Sequence, residues 1–180
     1  MEQLQHVLQQ AEQLYSMAEI EQALDKLANA LTNDYADQNP ILLCVMNGAV
    51  ITAGHLLTRL SFPLQQDYIH ASRYGNKTSG GEILWKAKPT TDLKQRHVIL
   101  IEDIFDEGIT LASLRQYCHD AGARSVKCVC LIDKIRESQV GTKPEYIGLT
   151  VPDRYVFGFG MDYEGYWRNA PGIYAIGEND

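Results

Sequence analysis

Val98-Ile99-Leu100-Ile101-Glu102-Asp103-Ile104-Phe105-Asp106-Glu107-Gly108-Ile109-Thr110 is the stretch on which the reading of this chain turns. It opens with an unbroken apolar run of the kind buried on both faces of a parallel sheet, then passes through acids to a glycine. Leu111, Leu114, Tyr117 and Cys118 follow at helical spacing, up to a stop at Ala121-Gly122-Ala123. The unit is strand, tight loop, helix. Such a loop aims the free backbone amides of Asp106 to Thr110 at one point above the carboxyl end of the sheet, a place that suits a phosphate. Gly108 permits a close approach that a side chain would block, and the Thr110 hydroxyl can donate to a phosphate oxygen. The spaced glycines and the lysine of a Walker loop are absent.

Working outward, Ile41 to Met46 is another continuously apolar run, and Asn47-Gly48-Ala49 leads from it into a helical segment through Ile51, Leu56, Leu57 and Leu60. Val126 to Ile132 is a third buried-type strand. Strands separated by helices of this length imply parallel crossovers, hence an α/β fold with a mainly parallel sheet flanked by helices on both faces. Asp67 to Tyr74 alternates, and the polar, glycine-rich Gly75 to Gly81 separates it from Glu82 to Lys86, which predicts a hairpin with a long tip. At the N-terminus, Leu4, Val7, Leu8, Ala11, Leu14 and Tyr15 predict a helix over residues 2–15. Ser16 with Glu19 reads as a capping box that restarts the chain as a second helix carrying Ile20, Leu24, Leu27 and Leu31.

The whole chain, 180 residues with 45% hydrophobic and 22% charged, fits one globular domain. No run approaches the roughly 18 apolar residues of a membrane helix. Met1 to Gln13 lacks the features of a secretory signal, so the expected location is the cytoplasm. Net charge is −7, which argues against nucleic acid as a partner. Cys44, Cys118, Cys128 and Cys130 contain no C-x-x-C and are expected to be reduced, mostly buried thiols.

Glu102, Asp103 and Asp106 stand just ahead of the phosphate nest. Carboxylates beside an anionic ligand repel it unless they engage hydroxyls or a divalent cation, and hard oxygen donors favour magnesium. Read alone, the acids are also compatible with capping the helix that follows.

The stretch closely resembles the phosphoribosyl pyrophosphate signature of the type I phosphoribosyltransferases: four apolar residues, two acids, two apolar residues, then Asp-x-Gly-x-Thr. The resemblance runs over nearly the whole chain and is nearest to the 6-oxopurine (hypoxanthine-guanine) branch. Cys44 to Gly48, Arg73-Tyr74, Asp133-Lys134 and Val151 to Gly158, running on to Met161-Asp162-Tyr163 and Tyr166-Trp167-Arg168, match at fitting separations. It implies a single domain over residues 1–180, with a core of about 37–150 and a small hood formed by about 1–36 and 151–180.

The implied activity is magnesium-dependent transfer of phosphoribosyl from phosphoribosyl pyrophosphate to hypoxanthine or guanine, in purine salvage. Glu102 and Asp103 would hold the ribose hydroxyls directly or through magnesium, Asp106 would be the general acid/base at ring nitrogen 7, and the amides of Asp106, Glu107, Gly108, Ile109 and Thr110 would cradle the 5′-phosphate. Met46, Asn47 and Gly48, with a cis peptide at Met46–Asn47, and Arg168 would receive pyrophosphate. Lys134 would donate to the 6-oxo group, Tyr155 would stack on the purine, the Val156 carbonyl would accept from it, and Asp162 would hold a second magnesium. Arg73-Tyr74 would belong to a lid that keeps water from the reacting carbon. The resemblance also implies a homodimer or homotetramer.

The loop departs from its relatives: Glu107-Gly108-Ile109 stands where Thr-Gly-Lys or Thr-Gly-His is frequent, and Asn47 where some carry lysine. Two other readings remain: a regulator on this fold that binds the sugar diphosphate and nucleic acid, for which the acidic chain supplies no basic surface, and a transferase for another base such as xanthine or adenine.

Overall fold

A computed structural model describes residues 2–73 and 83–177, the side chains of Glu2, Gln3 and Arg73 excepted. Its centre is β2 (Ile41–Val45), buried at every position, which pairs in parallel with β3 (Gln65–Arg73) on one side and β5 (His97–Phe105) on the other. β6 (Ser125–Lys134) and β7 (Tyr146–Val151) extend the sheet in parallel, and β4 (Ile83–Ala87) closes the other edge antiparallel to β3. The resulting order is β4-β3-β2-β5-β6-β7. Consecutive residues Val98 to Ile101 are all buried, so both faces of the central strands are covered, as their unbroken apolar run requires.

The covering helices are α2 (Met17–Tyr35), α3 (Val50–Leu57) and α4 (Ile109–Asp120). α2 begins where its sequence says it should. The Ser16 hydroxyl accepts from the Glu19 amide at 3.4 Å and the Glu19 carboxylate accepts from the Ser16 amide at 2.8 Å, completing the capping box. Its stripe of Ile20, Leu24, Leu27 and Leu31 is buried against the sheet and α3. All four cysteines are free and buried.

The first helix is shorter than its spacing predicts. α1 (Glu2–Gln10) stops short, and Glu12–Ser16 forms β1, antiparallel to β9 (Gly172–Ala175), which also pairs with β8 (Val156–Phe157). Leu14 and Tyr15, which read as the end of a helical stripe, belong to that strand, whose register shifts between Gln13 and Tyr15. Backbone partners from the far end of the chain outweighed a local period. The three-stranded sheet β1-β9-β8 therefore joins the two ends of the chain above the core. The Trp167 indole donates to the Leu4 carbonyl at 2.7 Å and the Tyr15 hydroxyl to the Thr150 carbonyl at 2.6 Å, fastening it to α1 and β7. β7 itself was not evident in the sequence.

Candidate active site

β5 runs past its apolar stretch to Phe105, so Glu102 and Asp103 are strand residues and alternate across the sheet. Glu102 lines a pocket of about 120 Å³ with Asp106, Glu107, Gly108, Ile109 and Thr110. Gly108 sets its shape. Its φ of 83° is left-handed, and a methyl group there would overlap the Val140 carbonyl oxygen and come within 2.8 Å of the Phe105 ring. α4 starts at Ile109, so its first amides have no partner within the helix and open on this pocket. The pocket is small, with free amides at its helix end and the acids Glu102, Asp106 and Glu107 in its lining.

Glu102 Oε2 is shut off from solvent and has no hydrogen-bond partner among the described residues. Burial pushes the Glu102 carboxyl well above its ordinary range, and the neighbouring Asp103 charge adds to this. Asp103 is raised to about 6 by burial and by Asp162, against the Ile104 amide and the Arg168 charge. Two acids strained toward neutrality, one with an orphaned oxygen, fit a ligand that brings hydroxyl donors or a cation. Among the described residues no group of three or more His, Cys, Asp or Glu side chains is gathered closely enough to hold a metal by itself.

Asp106 is held from the end of β6. Lys134 Nζ donates to Oδ2 at 3.1 Å and Arg136 Nη1 to Oδ1 at 2.5 Å. Burial alone would raise its carboxyl; the Arg136 and Lys134 bonds outweigh that and bring it below the ordinary value. Gln139 fixes the strand end by donating to the Lys134 carbonyl at 2.6 Å and to Asp133 at 3.1 Å. Sequence reasoning found Lys134 and missed Arg136. The signal was there: residues two apart at a strand end share a side.

Across the strand end, the Met46–Asn47 peptide is cis, as expected. Gly48 abuts the Asp103 carboxylate, and Gly160, at φ 107°, abuts the Gly48 carbonyl. Arg168 Nη1 donates to the Gly160 carbonyl at 2.6 Å and Nη2 pairs with Asp162 at 2.5 Å, while Asp162 Oδ2 accepts from the Gly165 amide at 2.7 Å. Arg168 and Asp162 are thus partners of each other in this state. Asn47 and Arg168 share a hollow of about 540 Å³ with Val50, Ile51, Tyr166 and Trp167. Tyr155 is half exposed, its hydroxyl donating to the Asp162 carbonyl at 3.2 Å and its ring set edge-on to Tyr163 at 5.8 Å. Val156 is buried in β8. Tyr74 and the Arg73 side chain lie outside the described residues.

Among the described residues, those expected for phosphate, ribose, pyrophosphate and base therefore lie at the carboxyl ends of β2, β5 and β6 and in the segment from Tyr155 to Arg168. Known proteins resemble this chain in sequence and in fold. A family model, the phosphoribosyl transferase domain, matches residues 10–164. A hypoxanthine-guanine phosphoribosyltransferase of Streptococcus pneumoniae is 37% identical over 166 residues, 92% of each chain. A hypoxanthine-guanine-xanthine phosphoribosyltransferase of Tritrichomonas foetus is 35% identical over 167 residues, 92% of this chain and 91% of its own. Among solved structures, a hypoxanthine phosphoribosyltransferase of Staphylococcus aureus superposes with a TM-score of 0.87 at 26% identity, covering 92% of this chain and 91% of its own. From signature, fold and relatives together, the chain belongs to the phosphoribosyl transferase domain family.

Proposed function

We propose that this protein transfers 5-phosphoribosyl from phosphoribosyl pyrophosphate to hypoxanthine or guanine, giving IMP or GMP and pyrophosphate, as its relatives' names indicate for them. The observation that carries the reading is the Asp106 carboxylate, held by Lys134 just ahead of the glycine-pinched phosphate loop. A 6-oxopurine presents an acceptor at carbon 6 and a ring N–H at nitrogen 7, complementary to the Lys134 ammonium and the Asp106 carboxylate. Adenine would set an amino donor against the ammonium donor. Tyr155 offers an exposed ring face to the purine, and the Val156 carbonyl an acceptor beside it.

The amides of Asp106 to Thr110 hold the 5′-phosphate, and Glu102 and Asp103 the ribose hydroxyls. With the sugar pinned at both places, the bond from carbon 1 to pyrophosphate breaks as ring nitrogen 9 attacks, and Asp106 takes the proton from nitrogen 7. Arg168, released from Asp162, turns its forked donors to the departing pyrophosphate around Met46, Asn47 and Gly48. Magnesium, when bound, would supply neutralisation of the diphosphate charge. Asp103 on one side and Asp162 on the other are the carboxylates that would hold it, with Glu102 beside them. One or two protein carboxylates completed by substrate oxygens is the usual magnesium arrangement.

An ultraviolet assay of the purified protein with phosphoribosyl pyrophosphate and magnesium, offered hypoxanthine, guanine, xanthine, adenine and orotate in turn, tests the proposal. Turnover with hypoxanthine or guanine is expected. No turnover with any 6-oxopurine defeats it.

A further inference from the structure

Resting on the function proposed above, we infer that Arg136 is a positioning residue, holding the Asp106 carboxylate in one orientation as a ready proton acceptor.

The placement follows from the strand. Lys134 is the last residue of β6, and Ile135 still donates its amide to the Val151 carbonyl at 2.8 Å, so the pleat continues for one residue more. Alternation then throws Ile135 outward, where it is 62% exposed, and returns Arg136 to the side of Lys134. Both cations reach the same carboxylate, each on its own oxygen.

Their duties differ. Lys134 has three donors on a flexible stem, and the arriving 6-oxo group takes one of them. Arg136 is rigid, permanently charged and committed to acids: Asp106 at 2.5 Å, Asp153 at 3.6 Å, and the nearby charge of Glu107. The loop from Asp106 to Thr110 carries no cationic side chain of its own and adds the Glu107 charge, so the counter-charge for Asp106 comes from the end of β6. Each carboxylate oxygen has two lone-pair directions, so Oδ1 can keep Arg136 while a ring N–H approaches. Burial works against an ionised Asp106, and the Arg136 bond is the largest influence opposing it.

The experiment compares Arg136→Gln, Arg136→Lys and the natural protein by kcat/KM for hypoxanthine across pH, alongside carbon-13 titration of the Asp106 carboxyl. Arg136→Gln is expected to move the acid limb of the profile and the carboxyl titration to higher pH and to lower kcat/KM about tenfold at the acid end. Arg136→Lys should restore most of both, and donor affinity should stay within about twofold throughout, because the phosphate amides are untouched. An unmoved limb and titration in Arg136→Gln overturn the inference, even if the rate falls, since a merely structural arginine would lower rate without moving either. If the natural protein turns over no 6-oxopurine, the proposed function fails, and the carboxyl titration alone still decides whether Arg136 governs Asp106.

Discussion

Gly48 is packed directly against the Asp103 carboxylate: a methyl group built on it would overlap Oδ2 and sit 2.8 Å from Oδ1. Gly160 presses on the Gly48 carbonyl in turn, so the loop after β2, the acid on β5 and the turn at Gly160 are packed together. Gly48→Ala must push Asp103 or the loop aside, at about 1–3 kcal/mol of overpacking. Chemical denaturation should show the loss, and titration with phosphoribosyl pyrophosphate and magnesium should show weakened binding. Unchanged stability with unchanged donor affinity would refute this contact.

Asp106→Asn keeps the shape of the site and removes its proton acceptor. It should lower kcat with hypoxanthine by about 10²–10⁴-fold, in the range general bases contribute. Donor affinity, measured by equilibrium binding, should change far less. Equal losses in both would reject Asp106 as the proton acceptor.

Arg168→Gln removes the forked donors that now span the Gly160 carbonyl and Asp162. Inhibition by pyrophosphate should weaken by about tenfold, the worth of a charge-assisted pair, while KM for hypoxanthine stays nearly constant. A variant inhibited as strongly as the natural protein would place pyrophosphate elsewhere.

Asp67 gives the acid side of the stability curve. Burial would raise its carboxyl, but amides of Thr91, Tyr68 and Thr90 and a threonine hydroxyl bring it down to about 2. A carboxyl depressed in the folded state stabilises fully above its unfolded value near 3.8, and that contribution drains away as pH falls toward about 2. Asp67→Asn should flatten this part of the curve in urea melts and cost about 2 kcal/mol at neutral pH. A variant with an unaltered slope between those values would assign the acid sensitivity to another group.

The residues from Val98 to Thr110 were legible because everything they need is local. Unbroken apolarity marks a doubly covered strand, and Gly108 is the residue that a φ of 83° against the Phe105 ring demands. The Ser16 and Glu19 cap was legible for the same reason, its two hydrogen bonds lying within one helical turn.

What the chain could not announce depended on distant partners. Glu12 to Ser16 is a strand because Gly172 to Ala175 lies beside it to receive its backbone hydrogen bonds, although Leu14 and Tyr15 keep helical time. The grip of Arg136 on Asp106 and the mutual pairing of Arg168 with Asp162 likewise arise only where separate chain segments end side by side. Sequence by itself determined the periodicities, the caps and the signature loop, since these are written in neighbouring residues. Tertiary structure decided which edges pair and which charges meet, because both are set by distances that only the folded chain defines.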